Sequence, residues 1–581
     1  MKQRCLALLT LVCLLLPVPS ARADAYHASP KLVVILVIDQ FRGDYLDRHR
    51  DDLTTPNGFN LFLQRGAYFN SCYYAYANTK TAPGHATIGT GAYTAGHGIG
   101  SNEWWDLSRR TSGVVSSVDD ERYRIVGTFD DLPALQPPPA PKPTDPRLGA
   151  SPRNLQATTL GDEVRLATQG RARLFGISLK DRAAILTSGQ TANAAYWIDA
   201  TTGRFVTSTY YMPQLPAWVT AFNKGPRPAQ AVKEAGLDET TQFYSLVGRT
   251  PAANSYELDF ARALIENEKL GKNDVTDVLT VSLSANDILG HQLGPDSDAE
   301  TEMVKGLDRD LNTFFTWLDG QVGLDNVMVA FTADHGVAPI PAESAALGVA
   351  STRIDLDDFV TRMNAALNER FSPGKKTSYL FPSNLGGGVT QELPYLVLDP
   401  RTFQAIKVSE ATAEQAVAEL APGVIRAMGA PQPPPMDANT VEAKLKYNEA
   451  RVDANPQIAF LRTRLQLAAG DLPNTPFGHI IANSYTTHGG WYVMMVPTAY
   501  QMEILNGSQT THFSPWSYDR HVPLGFFGQA FVPGYYRQQV EPVDIAATFA
   551  AILGVNAPSA SVGHVLTEVL KPSTAPQTAG H

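Results

Sequence analysis

Leu32-Val33-Val34-Ile35-Leu36-Val37-Ile38 is an unbroken β-branched and leucine run, and Asp39 follows it directly. A strand that is apolar on both faces belongs inside a parallel sheet covered on both sides. The same grammar recurs twice. Val278-Leu279-Thr280-Val281-Ser282-Leu283 precedes Asp287, and Val327-Met328-Val329-Ala330-Phe331 precedes Asp334. Between these two runs, Met303, Leu307, Leu311, Phe314, Phe315 and Leu318 share one helical face, which predicts a strand, helix, strand crossover. The expected fold is α/β, with a large mostly parallel central sheet flanked by helices and three acidic residues at one sheet edge. Asp544 to Leu553 reads as a late covering helix, with Gly554 as its stop.

A chain of 581 residues with 44% hydrophobic composition can bury one large core plus an accessory module. Lys2 and Arg4, the apolar stretch Leu6 to Leu16 and the closing Ala21-Arg22-Ala23 read as an export signal cleaved after Ala23. The expected division is a signal peptide at 1–23, a main domain at 24–340 and 488–570, an insertion at 341–487 and a loose tail at 571–581. Helices such as Ile354 to Phe371 should serve the insertion. The proline-rich stretches Gln136 to Pro146 and Gln432 to Pro435 read as surface loops. No transmembrane helix is expected in the mature chain, which should be periplasmic or secreted. Cys5 and Cys13 would leave with the signal, so Cys72 has no partner for an internal disulfide. The formal net charge of −10, deepened by loss of Lys2, Arg4 and Arg22, argues against a nucleic-acid-binding surface.

Chemistry gathers where acids and imidazoles come in sets. Asn286-Asp287-Ile288-Leu289-Gly290-His291 and Thr332-Ala333-Asp334-His335-Gly336 each put an Asp and a His after an apolar strand. A lone Asp there is usually a turn former and a lone His a satisfied polar residue. With Asp39 and a histidine near His512, however, they make two trios of oxygen and nitrogen ligands, enough for two zinc ions with open positions. Asn78-Thr79-Lys80-Thr81-Ala82-Pro83-Gly84-His85 places Thr81 at the start of a helix, where free N–H groups favour an anion. A capping threonine is the bland alternative. Trp104-Trp105 and Gly96 to Gly100 read as loop-shaping, and His85 and His97 as structural.

Asp39, Thr81-Ala82-Pro83-Gly84-His85, Ser101-Asn102, Lys180-Asp181-Arg182, Asp287 with His291, Asp334-His335-Gly336, and His512 before Ser514-Pro515-Trp516-Ser517-Tyr518-Asp519 carry a resemblance over residues 32 to about 555. Their order resembles that of the alkaline phosphatase superfamily, and most of all its bacterial phosphate-irrepressible, monomeric alkaline phosphatases with a threonine nucleophile. The resemblance implies a phosphate monoester hydrolase acting through a phosphothreonine intermediate. Asp39, Asp334 and His335 would hold the zinc that contacts and activates Thr81, and Asp287, His291 and His512 the zinc facing the leaving group. Asn102, Lys180 and Arg182 would bind the phosphate, the last two pointing to one face of a strand. The subfamily's lysine implies two zinc ions and no obligatory magnesium, and a monomer acting on small phosphate monoesters.

Relatives carry glycine after the last histidine, whereas Phe513 stands here, so His488 and His521 remain alternatives to His512. His521 opens the Val522 to Phe527 run and would face the wrong edge if that strand were parallel. Manganese, cobalt or iron remain open as well. The nearest rival is a phosphodiesterase or nucleotide pyrophosphatase of the same superfamily, against which Lys180 and Arg182 argue. A sulfatase would need a formylglycine precursor that threonine cannot supply. A zinc-binding protein without turnover would need none of Thr81, Lys180 and Arg182.

Overall fold

Four of the apolar runs form the middle of one sheet: β1 (Leu32–Ile38), β2 (Leu174–Ser178), β3 (Asp277–Leu283) and β4 (Val327–Thr332). All four are buried along their whole length, as strands covered on both faces must be. This computed structural model describes residues 26–105, 114–127, 149–382, 391–428, 457–486, 490–503 and 507–572, with the backbone of 384–385 and 388–389. The export signal, both proline-rich stretches, His488 and residues 573–581 lie outside the described residues.

The sheet has eleven described strands, and β4, β1, β3 and β2 are successive neighbours within it. These four and Ala194–Ile198 run parallel. Leu32 is level with both Asp277 and Val327, so the carboxyl ends of β1, β3 and β4 come out side by side. Asp39, Asp287 and Asp334 therefore rise from one edge, where open α/β sheets present their ligand crevice. Beyond β4 the sheet changes sense: His521–Phe527 pairs antiparallel with it, and Ala67–Tyr73 antiparallel with that strand.

Four helices position the crevice: α1 (Thr81–Thr90), α2 (Asp181–Ser188), α3 (Ala285–Leu293) and α4 (Asp298–Gln321). The predicted crossover is α4, and all six residues of its expected face are buried. Ser297 starts it by accepting a hydrogen bond from the Glu300 amide. The late helix runs Asp544–Leu553 and stops at Gly554, whose φ of 64° is the left-handed cap that glycine adopts without strain.

A second core is built from residues between 354 and 495. Phe359, Met363 and Leu367 pack with Val417, Ile425, Val493 and Met495. Its three-stranded sheet joins Tyr395–Val397, Tyr492–Pro497 and Ile458–Thr463, and Thr352–Ile354 pairs with Gln501–Glu503. This small sheet thus joins strands on both sides of residue 487, where the insertion was expected to end. The helix expected from Ile354 begins instead at Leu356, because Ile354 is held in a strand and Asp355 caps the helix by accepting from the Asp358 amide. No helix among the described residues is long and apolar enough to cross a membrane.

Candidate active site

Thr81 is the first residue of α1 and is buried. The cap position belongs to Lys80, whose side chain makes no capping bond, so the bland expectation for Thr81 does not describe it. The helix start is pressed against the β4 edge. A Cβ on Gly84 would lie 2.3 Å from the Asp334 carbonyl oxygen, so only glycine allows this approach. Asn102 Oδ1 accepts from the Ala82 amide at 2.8 Å, which turns its NH2 the other way. The free N–H groups expected at this helix start are mostly absent: Ala82 gives its amide to Asn102, Pro83 has none, and the Gly84 amide donates to the Lys80 carbonyl.

Two compact groups of ligand atoms adjoin this helix start, through Asp334 against Gly84 and His512 on the Thr79 carbonyl: Asp39, Asp334 and His335, and Asp287, His335 and His512. Within each group the atoms lie within 4.8 Å of one another, and all five residues are buried. His335 is common to both. The first trio matches the expected one. In the second, His335 stands where His291 was expected, while His291 joins through Nε2, 3.3 Å from Asp287 Oδ1.

All three imidazoles are oriented alike. Nδ1 of His335 lies 2.9 Å from the Gly336 carbonyl oxygen, that of His291 3.0 Å from Thr510 O, and that of His512 2.6 Å from Thr79 O. A carbonyl accepts only, so each Nδ1 carries the proton and each Nε2 presents a lone pair inward, the arrangement that outer partners impose on metal-binding histidines. Burial lowers the pKa of His335 and of His512, keeping them neutral. His291 goes the other way: burial opposes the rise, but the Asp287 charge prevails.

The donor set fits a cation. Asp39 Oδ1, Asp334 Oδ2 and His335 Nε2 are buried with no hydrogen-bond partner among the described residues, and all three are acceptors. Asp39 Oδ1 lies 3.5 Å from His335 Nε2, as does Asp334 Oδ2. Such a cluster of converging lone pairs repels itself unless a positive charge sits between them. Carboxylate and imidazole suit zinc, and equally other divalent first-row metals.

Lys180 supplies one fixed positive charge. Its ammonium lies 2.6 Å from Asp39 Oδ2 and also donates to Asp287 Oδ2, leaving each acid's other oxygen for the histidine side. Burial opposes ionisation of Asp287, but Lys180 and His291 hold it well below the usual carboxylate range. Asp334 is likewise held down, to about 2, by His335 and His85 against burial. Asp39 is pushed well up by burial and by the Asp287 and Asp334 charges.

The expectation that Lys180 and Arg182 share a strand face is corrected. The strand ends at Ser178, Lys180 caps α2 and Arg182 lies in its first turn. Both still reach the crevice edge because α2 starts at the carboxyl end of β2. Arg182 keeps a quarter of its side chain exposed, and its buried Nε has no partner among the described residues.

His521 sits at the same edge after all, because its strand is antiparallel to β4. It is excluded for another reason: Nε2 lies 2.8 Å from Asn70 O and its ring stacks on Tyr73 at 4.5 Å. His488 lies outside the described residues. His97 is structural, its pKa lowered to about 3 by burial. His85 supports the site, with Nδ1 2.8 Å from the Thr81 carbonyl oxygen and Nε2 2.7 Å from Ser282 Oγ. Two further supports had not been singled out. Gln40 donates from Nε2 to Asp287 Oδ1 at 2.7 Å and from its amide to Asp334 Oδ1, and Asn286 Nδ2 donates to the Asp39 carbonyl. Gln40 has a φ of 62°, a strained backbone whose only sequence signal is its place directly after Asp39.

Glu300 is a buried carboxyl behind Asp287, with neither oxygen hydrogen-bonded among the described residues, and burial pushes its pKa well above the ordinary 4.5. Below about pH 4.5 the folded and unfolded chains both hold its proton; above that only the unfolded chain releases it, so folding loses stability as pH rises toward the folded value. Glu300→Gln should therefore stabilise the metal-free protein at pH 8 relative to pH 4. The gain should grow by about 1.4 kcal/mol per pH unit until the folded value is reached. Denaturant titrations at the two pH values check this; a gain that does not change with pH would contradict it.

The family described as type I phosphodiesterase / nucleotide pyrophosphatase matches residues 33–472. Alkaline phosphatase PafA of Elizabethkingia meningoseptica is 30% identical over 93% of this chain and 94% of its own length. Alkaline phosphatase PhoV of Synechococcus elongatus is 30% identical over 94% of each. A crystal structure of wild-type PafA superposes with a TM-score of 0.75 at 28% identity, covering 94% of this chain and 99% of that one.

Proposed function

Since the chain belongs to the type I phosphodiesterase / nucleotide pyrophosphatase family, within the alkaline phosphatase superfamily, and is a phosphatase, we propose that it hydrolyses small phosphate monoesters using two zinc ions and a phosphothreonine intermediate at Thr81. The observation that carries this reading is the convergence of Asp39, Asp334 and His335 acceptors, unpartnered and buried, on the crevice that holds the Thr81 helix start.

Asp39, Asp334 and His335 would hold one ion, and Asp287, His291 and His512 the other, with His335 between them. When bound, the two ions neutralise phosphoryl oxygens and lower the pKa of a coordinated hydroxyl. The rest is work for the chain's own groups. Asn102 and Arg182 donate to nonbridging phosphate oxygens. Lys180 offers the one ammonium donor not committed to Asp39 or Asp287. Thr81 Oγ attacks phosphorus in line, the alcohol leaves, and water hydrolyses the phosphothreonine to inorganic phosphate. Placement of cationic donors where charge gathers is the main contribution, because phosphoryl transfer leaves the protein little covalent work. An exported, monomeric enzyme needing no magnesium completes the proposal, since Lys180 occupies the space between the two acids.

A monoester carries one more negative oxygen than a diester, and Lys180 with Arg182 favours that charge. The zinc-loaded enzyme should release product from an aryl phosphate at least about 100-fold more efficiently than from the matching diester, the worth of two charge-assisted contacts. Equal or better turnover of the diester would favour the phosphodiesterase reading.

A further inference from the structure

The loop before Thr81 is gripped from outside the catalytic sheet. Lys80 donates to Glu392, and its ammonium lies 4.7 Å from the centre of the Phe513 ring. Tyr395 Oη donates to Asn78 Oδ1 at 2.6 Å, while Asn78 Nδ2 donates to Ser484 O at 2.9 Å. The Ala77 amide donates to Ser484 Oγ at 2.7 Å. Glu392, Tyr395 and Ser484 all belong to the inserted region, so three of the four residues ahead of the nucleophile, Ala77, Asn78 and Lys80, are tied to it.

Two observations indicate that this grip is more than incidental packing. The ion pair is largely desolvated, with 9% of the Lys80 side chain exposed and 16% of Glu392. Phe513, adjacent to His512, holds a φ of 96°, a conformation that favours glycine. A bulky residue persists in such strain only where its surroundings require it, and the Phe513 ring packs against Tyr395 at 5.7 Å while seating the Lys80 charge.

We propose that the inserted region positions the nucleophile: Glu392 acting through Lys80, and Tyr395 through Asn78, fix the loop that presents Thr81, with Phe513 as the seat of the ammonium. This rests on Thr81 being the nucleophile. Misplacement of a reacting group by about 1 Å costs on the order of 100-fold in rate, so loosening the grip should act on turnover while leaving substrate binding and the metals alone.

The test uses the zinc-loaded full chain with Glu392→Gln, Tyr395→Phe and Phe513→Gly. Each is measured for kcat, KM, zinc content and amide hydrogen exchange across residues 76–86, on whichever ester the wild type turns over. Expected are a kcat lower by about 10-fold or more, a KM within about threefold, unchanged zinc and faster exchange in that segment. Lys80→Met combined with Glu392→Gln should cost no more than the larger single loss. Tyr395→Phe keeps its ring contacts and so reports even if Glu392→Gln, or Phe513→Gly with its loss of a buried ring, folds poorly. Turnover within twofold of wild type, or a loss that follows zinc content, overturns the proposal. A wild type active only on diesters would refute the monoesterase reading, whereas the exchange and kcat comparison would still judge the grip.

Discussion

Thr81→Ala should abolish phosphate release from monoesters while leaving the protein folded and metal-loaded. Removal of a covalent nucleophile costs on the order of 10³- to 10⁶-fold in turnover, with a residue of catalysis left by the remaining electrostatic machinery. Here that machinery is intact without the hydroxyl: Asn102 still accepts from the Ala82 amide, Lys180 still spans Asp39 and Asp287, and the three imidazoles keep their backbone carbonyl partners. Alanine also suits the first turn of α1 without strain. Zinc per protein by elemental analysis should remain near two, and thermal stability near that of wild type. Undiminished activity in the alanine variant would remove Thr81 from the chemistry and leave the crevice as a place where water attacks directly.

Much of this site was legible before any coordinates. The acids could be placed because β1, β3 and β4 are apolar on both faces, which forces them into the middle of a parallel sheet, and strands in register bring their ends level. The α4 face followed from helical spacing alone. What escaped depended on distant pairing. The direction of His521–Phe527 is set by its neighbour β4, nearly two hundred residues away, so the argument that put His521 on the wrong edge had the wrong premise. Lys180 and Arg182 looked like alternate strand residues; the chain turns between Ser178 and Asp181 and starts α2 there. Gln40 was passed over because a polar residue after a strand reads as a turn, whereas its side chain holds Asp287. The glycine expected after His512 is absent, yet Phe513 holds a φ of 96°, a backbone conformation that favours glycine.

His335→Ala should be the most damaging change among the ligands, because its Nε2 belongs to both compact groups whereas His291 and His512 each serve one. In His291→Ala the trio Asp39, Asp334 and His335 is untouched, so one zinc should be kept and the ratio should fall from about two toward one. In His335→Ala the Asp39 and Asp334 site loses its nitrogen ligand, His512 loses the ring stacked on it at 3.7 Å, and the acidic oxygens of Asp39, Asp287 and Asp334 are left facing one another across a buried space. Like charges so placed cannot all stay ionised, so protons should occupy the site in place of metal and zinc should fall below one per chain. Activity should drop by more than about 100-fold, beyond what outer-sphere partners of a metal cost. His521→Ala is the matched control, since that ring binds Asn70 and Tyr73 at the same edge without touching either trio. If His335→Ala kept two zinc ions, His335 would not be a ligand, and the centre assigned to Asp39, Asp334 and His335 would have to be redrawn.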